Sequence, residues 1–401
     1  MEIIKNYSYQ ILSTIYIGVL SFILNIFLAR YLGPEDYGFY NLIIITSGFF
    51  LIFFEAGMRN LIIKENLLST ETDNKDLLSY SLGNGLFFLI ILVLIFYFFN
   101  IKKEYIFGLV CFFLISQQQL ISFYLKGKKM FYADSLWQSQ IRSLSFVGII
   151  FIFFFSSKDI RIANIFVIWS ISILFLIYFI QKKINFNYSF KLNYKIYKYT
   201  LFFLLIDIVV FINFKSDIYL LKLFNFENYS IGLYSASFKF VEMSAMLISP
   251  LVIVIFPLFR ENIKEIKIFK KNLIKFIIFF LFLSFIFFSF FYLFESFLIN
   301  FFYGNLYYES YKYLNVLKYL IFLLPLTGFV TYVLISIDLK KEYFLIVLFS
   351  LIVKILFSLK YYEIFKEFSI IYGSIISEML IFIMSLITIY FKINNEKKNS
   401  Y

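Results

Sequence analysis

Long apolar runs alternate with short polar breaks along the whole chain. Runs of about 20 apolar residues, the length that crosses a bilayer as a helix, fall near 10–31, 38–58, 81–99, 105–125, 137–156, 162–181, 199–221, 236–258, 274–299, 314–337, 343–360 and 368–391. The pattern predicts an all-α integral membrane protein with twelve transmembrane helices. The longest polar stretches are 59–80, 182–198 and 260–273, so no soluble domain is expected. The first run passes into the next break without a small-residue cleavage site, which predicts a retained span and not a leader. The fifth run carries Arg142, and the seventh carries Asp207, Lys215 and Asp217.

One segment occurs twice. Asn25 to Leu42, with Leu28-Ala29-Arg30-Tyr31-Leu32-Gly33-Pro34-Glu35-Asp36-Tyr37-Gly38-Phe39-Tyr40 at its centre, recurs as Asp217, Leu220-Leu221-Lys222-Leu223, Glu227-Asn228-Tyr229 and Gly232-Leu233-Tyr234. The offset is 192 residues and becomes 194 after a two-residue insertion placed at Ser230-Ile231. Each copy ends one span and opens the next. The expected organisation is therefore two homologous six-helix lobes, 1–181 and 199–391, with a connector 182–198 and a tail 392–401. Bundles built from a repeat are typical of transporters, which rock one repeat against the other. In the connector, Lys191, Lys195 and Lys198 share one helical stripe and Phe190, Tyr194 and Tyr197 the next. That spacing suits a helix lying in the headgroup plane; a basic tether is the alternative.

Composition agrees with the pattern: 62% of the residues are hydrophobic and 24% aromatic, with 15% charged. The net charge of +12 reads as a topology signal once the Lys and Arg are assigned to loops. With the N-terminus inside, 23 fall on the cytoplasmic face and 9 on the other, which predicts that both termini are cytoplasmic. The excess also attracts anionic membrane lipids, and no nucleic-acid partner is expected. The single cysteine, Cys111, excludes an internal disulfide, and the absence of histidine removes imidazole from any metal site or proton relay. No cofactor is expected.

The repeated segment, followed by Phe54-Glu55-Ala56-Gly57 and Lys64-Glu65, resembles the start of the Wzx-type polysaccharide flippases of the MOP superfamily. Ser216-Asp217-Ile218-Tyr219-Leu220-Leu221 and Gly232-Leu233-Tyr234-Ser235-Ala236-Ser237-Phe238-Lys239 are similar to that family's seventh and eighth spans. Glu55 stands where an aspartate is more usual, and Ile218-Tyr219 where a basic or aromatic pair is common. The resemblance implies a V-shaped, MATE-like pair of six-helix lobes in the bacterial inner membrane. The implied substrate is a polyprenyl-diphosphate-linked oligosaccharide moving from the cytoplasmic to the outer leaflet for O-antigen, lipopolysaccharide or capsule synthesis. A polysaccharide polymerase and a chain-length regulator are the implied partners. A drug or metabolite antiporter of the same superfamily and a membrane oligosaccharide polymerase are the alternatives. The latter needs a large outer loop, and the longest one here is about 300–313.

A diphosphate and many hydroxyls cannot cross hydrocarbon unaided, because each unpaired polar group there costs several kcal/mol. Ionisable residues within spans face a cavity or a partner far more often than lipid, so they are the candidate path. Arg59, Lys239, Arg142, Lys215 and Lys354 are the candidate diphosphate or sugar contacts, and Arg59 and Lys239 lead because they occupy equivalent spans, the second and the eighth. Asp207, Glu378, Glu55 and Glu242 are the candidate sites for proton or sodium coupling, Asp207 and Glu378 for their depth. Glu55 with Arg59 and Lys239 with Glu242 are also spaced to neutralise each other on one helix face. Asp217 and Asn25 read as packing or outer-gate residues, and Arg30 and Lys222 as loop cations that tolerate neutralisation. Pro250, Pro257 and Pro325 interrupt the eighth and tenth spans and are candidate hinges. Gly83-Asn84-Gly85, at a helix start, carries only a weak signal.

Overall fold

The computed structural model describes residues 2–59, 61–62, 71–155, 162–184, 186–190, 194–261 and 265–399, and among these every regular element is a helix. In chain order they are α1 (Glu2–Glu55), α2 (Glu71–Phe98), α3 (Lys103–Gly127), α4 (Phe131–Phe155), α5 (Ile162–Ile184), α6 (Tyr194–Leu223), α7 (Asn228–Glu261) and α8 (Ile266–Tyr303). A 3-10 turn (Asn305–Ser310) precedes α9 (Tyr311–Ser336), α10 (Lys340–Lys360), the single turn α11 (Tyr362–Phe365) and α12 (Phe368–Asn399). Among the described residues nine helices are long and apolar enough to cross a membrane, α1 included. The count of twelve is reached only by dividing α1 at its break and adding α4 and α6, of 25 and 30 residues, which lie outside those nine.

The break in α1 has a local cause. Gly33 takes φ 73 and ψ 170, and Pro34 follows it. A left-handed residue ends one helix at low cost when it lacks a Cβ, and proline suits the first position of the next helix because its missing N–H would be unbonded there. The second copy of the repeat does the same: α6 ends at Leu223, Asn225 takes φ 61, and α7 opens at Asn228.

The chain forms two compact units, residues 1–24 with 40–208 and residues 25–39 with 209–401. The first has its core around Phe54, Leu82, Leu109, Phe113, Leu120, Trp137 and Ile173. The second is built on Val209, Ile248, Phe259, Phe280, Phe329, Val333, Ile346 and Ile381, with the Phe280 and Phe329 rings stacked at 4.9 Å. Large apolar side chains such as Leu12, Phe98, Phe154, Phe282 and Leu293 remain exposed, as they can only where hydrocarbon is the solvent.

Within the second unit the two copies of the repeat touch reciprocally. A Cβ on Gly38 would overlap the Asn228 carbonyl oxygen, and a Cβ on Gly232 would overlap that of Pro34. Small residues at such a crossing let two helix backbones approach closely. The reciprocity pairs Pro34 with Asn228 and Gly38 with Gly232, both at an offset of 194. It moves the two-residue insertion from Ser230-Ile231 to Phe226-Glu227, before α7 begins. Around this crossing Tyr37 is fully buried, edge-on to Tyr307, whose hydroxyl donates to the Ala29 carbonyl at 2.8 Å.

The connector is described in part, and residues 191–193 of the expected headgroup-plane helix lie outside the described residues. Residues 186–190 are not helical, and Lys195 and Lys198 belong to the first turns of α6; Lys191 lies outside the described residues. Phe186 is buried, and the Ser189 N–H donates to the Ser79 carbonyl at 3.0 Å. Gly83 makes this possible, because a Cβ there would strike the backbone of Ser189. Gly83 lies twelve residues into α2, not at the helix start that the sequence suggested, and is a docking notch for the connector, whereas a Cβ on Gly85 would meet the Phe54 carbonyl oxygen of α1.

Candidate functional site

Sequence spacing predicted two ion pairs, and the structure extends both into clusters. In the first unit, α1 ends at Glu55 and is followed by two left-handed residues, Ala56 (φ 48) and Gly57 (φ 70). The reversal places Arg59 back toward Glu55, with Nε 2.9 Å from Glu55 Oε2. The other side of the guanidinium donates from Nη2 to Asp207 Oδ2 of α6 at 2.8 Å. Gly57 is required here, since a Cβ would lie 2.5 Å from the Thr200 carbonyl oxygen of α6. Glu55 is 1% exposed, and among the described residues neither of its oxygens accepts a hydrogen bond. One arginine thus serves two carboxylates, and the cluster carries a formal charge of −1.

In the second unit the sign is reversed. Glu242 of α7 receives Lys239 through Oε2 at 2.8 Å, the spaced pair, and also accepts from Lys215 of α6 through Oε1. The Lys215 ammonium sits 5.2 Å from the Phe214 ring centroid and 5.3 Å from that of Phe238. Two lysines on one carboxylate leave a formal charge of +1, and all three side chains are only partly buried.

Lys354 and Asp217 form the most buried pair. Lys354 Nζ is 2.5 Å from Asp217 Oδ1 and donates to the Asn213 carbonyl at 2.6 Å. Asp217 also accepts from the Tyr234 hydroxyl at 2.5 Å and from Ser374 at 2.9 Å. Lys354 is 1% exposed, so this cation is committed to α6, α7 and α12 packing. Glu378 stands beside the pair and lines a cavity of about 240 Å³ with Asn213, Thr327, Thr331 and Tyr343.

Arg142 is different again. It donates from Nε to Ser21 Oγ at 2.7 Å, lies 5.1 Å from the Trp169 ring centroid, and has no carboxylate partner among the described residues. Arg30, expected to tolerate neutralisation, donates to the carbonyls of Phe301 and Phe302 and so satisfies the C-terminus of α8. Pro325 falls inside a continuous α9. Residues 250 and 257 fall inside α7, whose side chains at those positions lie outside the described residues. Sequence reasoning missed Asp134. It is fully buried and gathers Gln10, Ser122 and Gln138, because a carboxylate in a helix's first turn looks like an ordinary dipole partner.

Membrane-length helices, a duplicated segment and charge clusters held inside the helical bundle define a multi-pass membrane protein. The chain belongs to the polysaccharide biosynthesis protein family, whose pattern it matches over residues 3–263. Its fold is that of MOP-superfamily transporters. One such structure is a multidrug resistance MATE family transporter in an inward-facing conformation, with a TM-score of 0.74 at 14% identity, covering 98% of this chain and 100% of that one. The outward-facing conformation of a MATE family transporter gives a TM-score of 0.67 at 14% identity over 98% and 96% of the two chains. A MOP superfamily transporter from Pyrococcus furiosus, described as having a binding pocket of reversed polarity, gives 0.63 at 13% identity over 98% and 96%. At these identities the likeness is one of fold. No match is found among curated proteins.

Proposed function

We propose that this chain is a flippase that carries polyprenyl-diphosphate-linked oligosaccharide from the cytoplasmic to the outer leaflet of the bacterial inner membrane, for O-antigen or capsule synthesis. The observation that carries the reading is membership of a polysaccharide biosynthesis family by a chain with the fold of MOP-superfamily transporters. On this reading 1–181 and 199–391 are the alternating-access lobes, both termini are cytoplasmic, and Pro250, Pro257 and Pro325 are bending points. The polymerase and chain-length regulator act downstream of the same substrate.

The charge arrangement supports a division of labour. A diphosphate carries at least two negative charges into a region of low dielectric, where a cation without an excess of carboxylate attracts it most. Lys215 and Lys239, sharing one Glu242, and Arg142, bonded to a hydroxyl and an aromatic face, meet that condition. Arg59 between Glu55 and Asp207, and Lys354 on Asp217, do not. The net-negative Glu55, Arg59 and Asp207 cluster, and Glu378 on its cavity, are the places for a coupling proton or sodium ion.

Surface glycan restored in a strain lacking the chain tests this, with membrane abundance measured alongside. Lys215→Ala with Lys239→Ala, and separately Arg142→Gln, are expected to lower restoration at least about tenfold, the loss of one charge-assisted contact. Arg142→Lys retains part of it. Asp207→Asn is expected to flatten the pH or sodium dependence of transport. Full restoration by both cation variants would remove the diphosphate from these residues.

A further inference from the structure

A second cleft lies at one end of the first unit, apart from the charge clusters assigned above to substrate and coupling ion. It has a volume of about 550 Å³, within the roughly 300–1,000 Å³ of ordinary ligand sites, and is framed by the end of α3, the start of α4 and the end of α5. Its walls are apolar, with Leu125, Trp137, Leu176 and Ile180 among them, and its rim carries Lys128 and Lys183. Lys128 follows the last residue of α3, and Lys183 sits in the last turn of α5 beside Lys182. Alternate helices of a bundle run in the same direction, so both lysines mark one membrane face, and on the proposed topology it is the cytoplasmic one. Tyr132, Leu136 and Phe179 line the same cleft and are 55%, 40% and 54% exposed, which opens its side to hydrocarbon.

We infer that this cleft is a binding site for an anionic membrane phospholipid, with the phosphate held between Lys128 and Lys183 and an acyl chain lying along Leu125, Leu176 and Ile180. The chemistry follows from what lines the cleft. Apolar walls open to the bilayer suit an acyl chain and would leave a water-soluble anion desolvated on one side. Two ammonium groups at headgroup depth suit a phosphate, and anionic lipid is concentrated in the cytoplasmic leaflet, where each lysine near the surface adds to its attraction. The site does not depend on the transported substrate.

Trp137 lines the cleft and is one of two tryptophans in the chain, which gives the test a built-in reporter. In the Trp169→Phe background, the full chain is reconstituted in nanodiscs of phosphatidylcholine containing a small fraction of brominated phosphatidylglycerol or of brominated phosphatidylcholine. Brominated phosphatidylglycerol is expected to quench Trp137 at a mole fraction roughly 30-fold lower, the preference that two lysines confer. Lys128→Gln with Lys183→Gln should bring the two lipids to the same quenching curve. Equal quenching by both lipids in the parent, or a preference that survives the double substitution, overturns the inference. So does relief of quenching by unbrominated polyprenyl diphosphate at trace mole fraction, which would assign the cleft to the transported lipid.

Discussion

Lys354→Met is expected to lower the stability of the protein by about 3–5 kcal/mol, the cost of stranding a buried carboxylate by removing its partner. Asp217 is 2% exposed, and after the substitution its partners among the described residues would be Tyr234 and Ser374. The double variant Lys354→Met with Asp217→Asn should regain most of the loss, because a neutral amide in the same place no longer needs a cation. Thermal unfolding of detergent-purified protein measures both. Lys354 was a candidate diphosphate contact by its place within a span, and the same pair of variants tests that role. A Lys354→Met protein of unchanged midpoint that nevertheless fails to transport would return the lysine to the substrate path.

The reciprocal glycine crossing should be as sensitive. Gly38→Val or Gly232→Val places carbon where the Asn228 or Pro34 carbonyl oxygen already lies, and only a backbone shift of the whole helix can relieve it. The expected cost is about 3 kcal/mol or more, at the upper end of overpacking, and either substitution alone suffices. Gly328→Ala is the internal contrast: its added Cβ meets nothing within 4 Å on a regular helix. It should leave stability unchanged or raise it by up to about 1 kcal/mol through propensity. Equal midpoints for Gly38→Val and Gly328→Ala would refute the close approach.

What the sequence made legible was local or periodic. Apolar runs marked the helices, the repeated segment marked the change of span within α1, and spacings of four and three marked the pairs of Arg59 with Glu55 and Lys239 with Glu242. The rest joins residues far apart in the chain. Asp207 reaches Arg59 across 148 positions, and Lys215 joins Glu242 across 27. No periodicity encodes such a meeting, so the charge of each cluster, which decides what it attracts, became visible only in the fold. Arg142 illustrates the converse: its want of a described carboxylate partner is a property of its surroundings in three dimensions and leaves no trace in spacing. The connector is similar in kind, since the bond from Ser189 to Ser79 joins residues 110 positions apart and leaves no mark in the spacing of the stripe.

The central claim is that the protein moves a lipid-linked oligosaccharide between leaflets. It is tested most directly with purified chain in sealed vesicles carrying a polyprenyl-diphosphate-linked oligosaccharide in both leaflets, with the sugar probed from outside by a membrane-impermeant glycosidase. The account predicts that the fraction protected in the inner leaflet becomes cleavable when the wild-type chain is present, and stays protected with Lys215→Ala, Lys239→Ala and Arg142→Gln combined. An unchanged protected fraction with wild-type protein, in vesicles where the same protein transports a small cationic drug, would contradict it and make the chain an antiporter of the same fold.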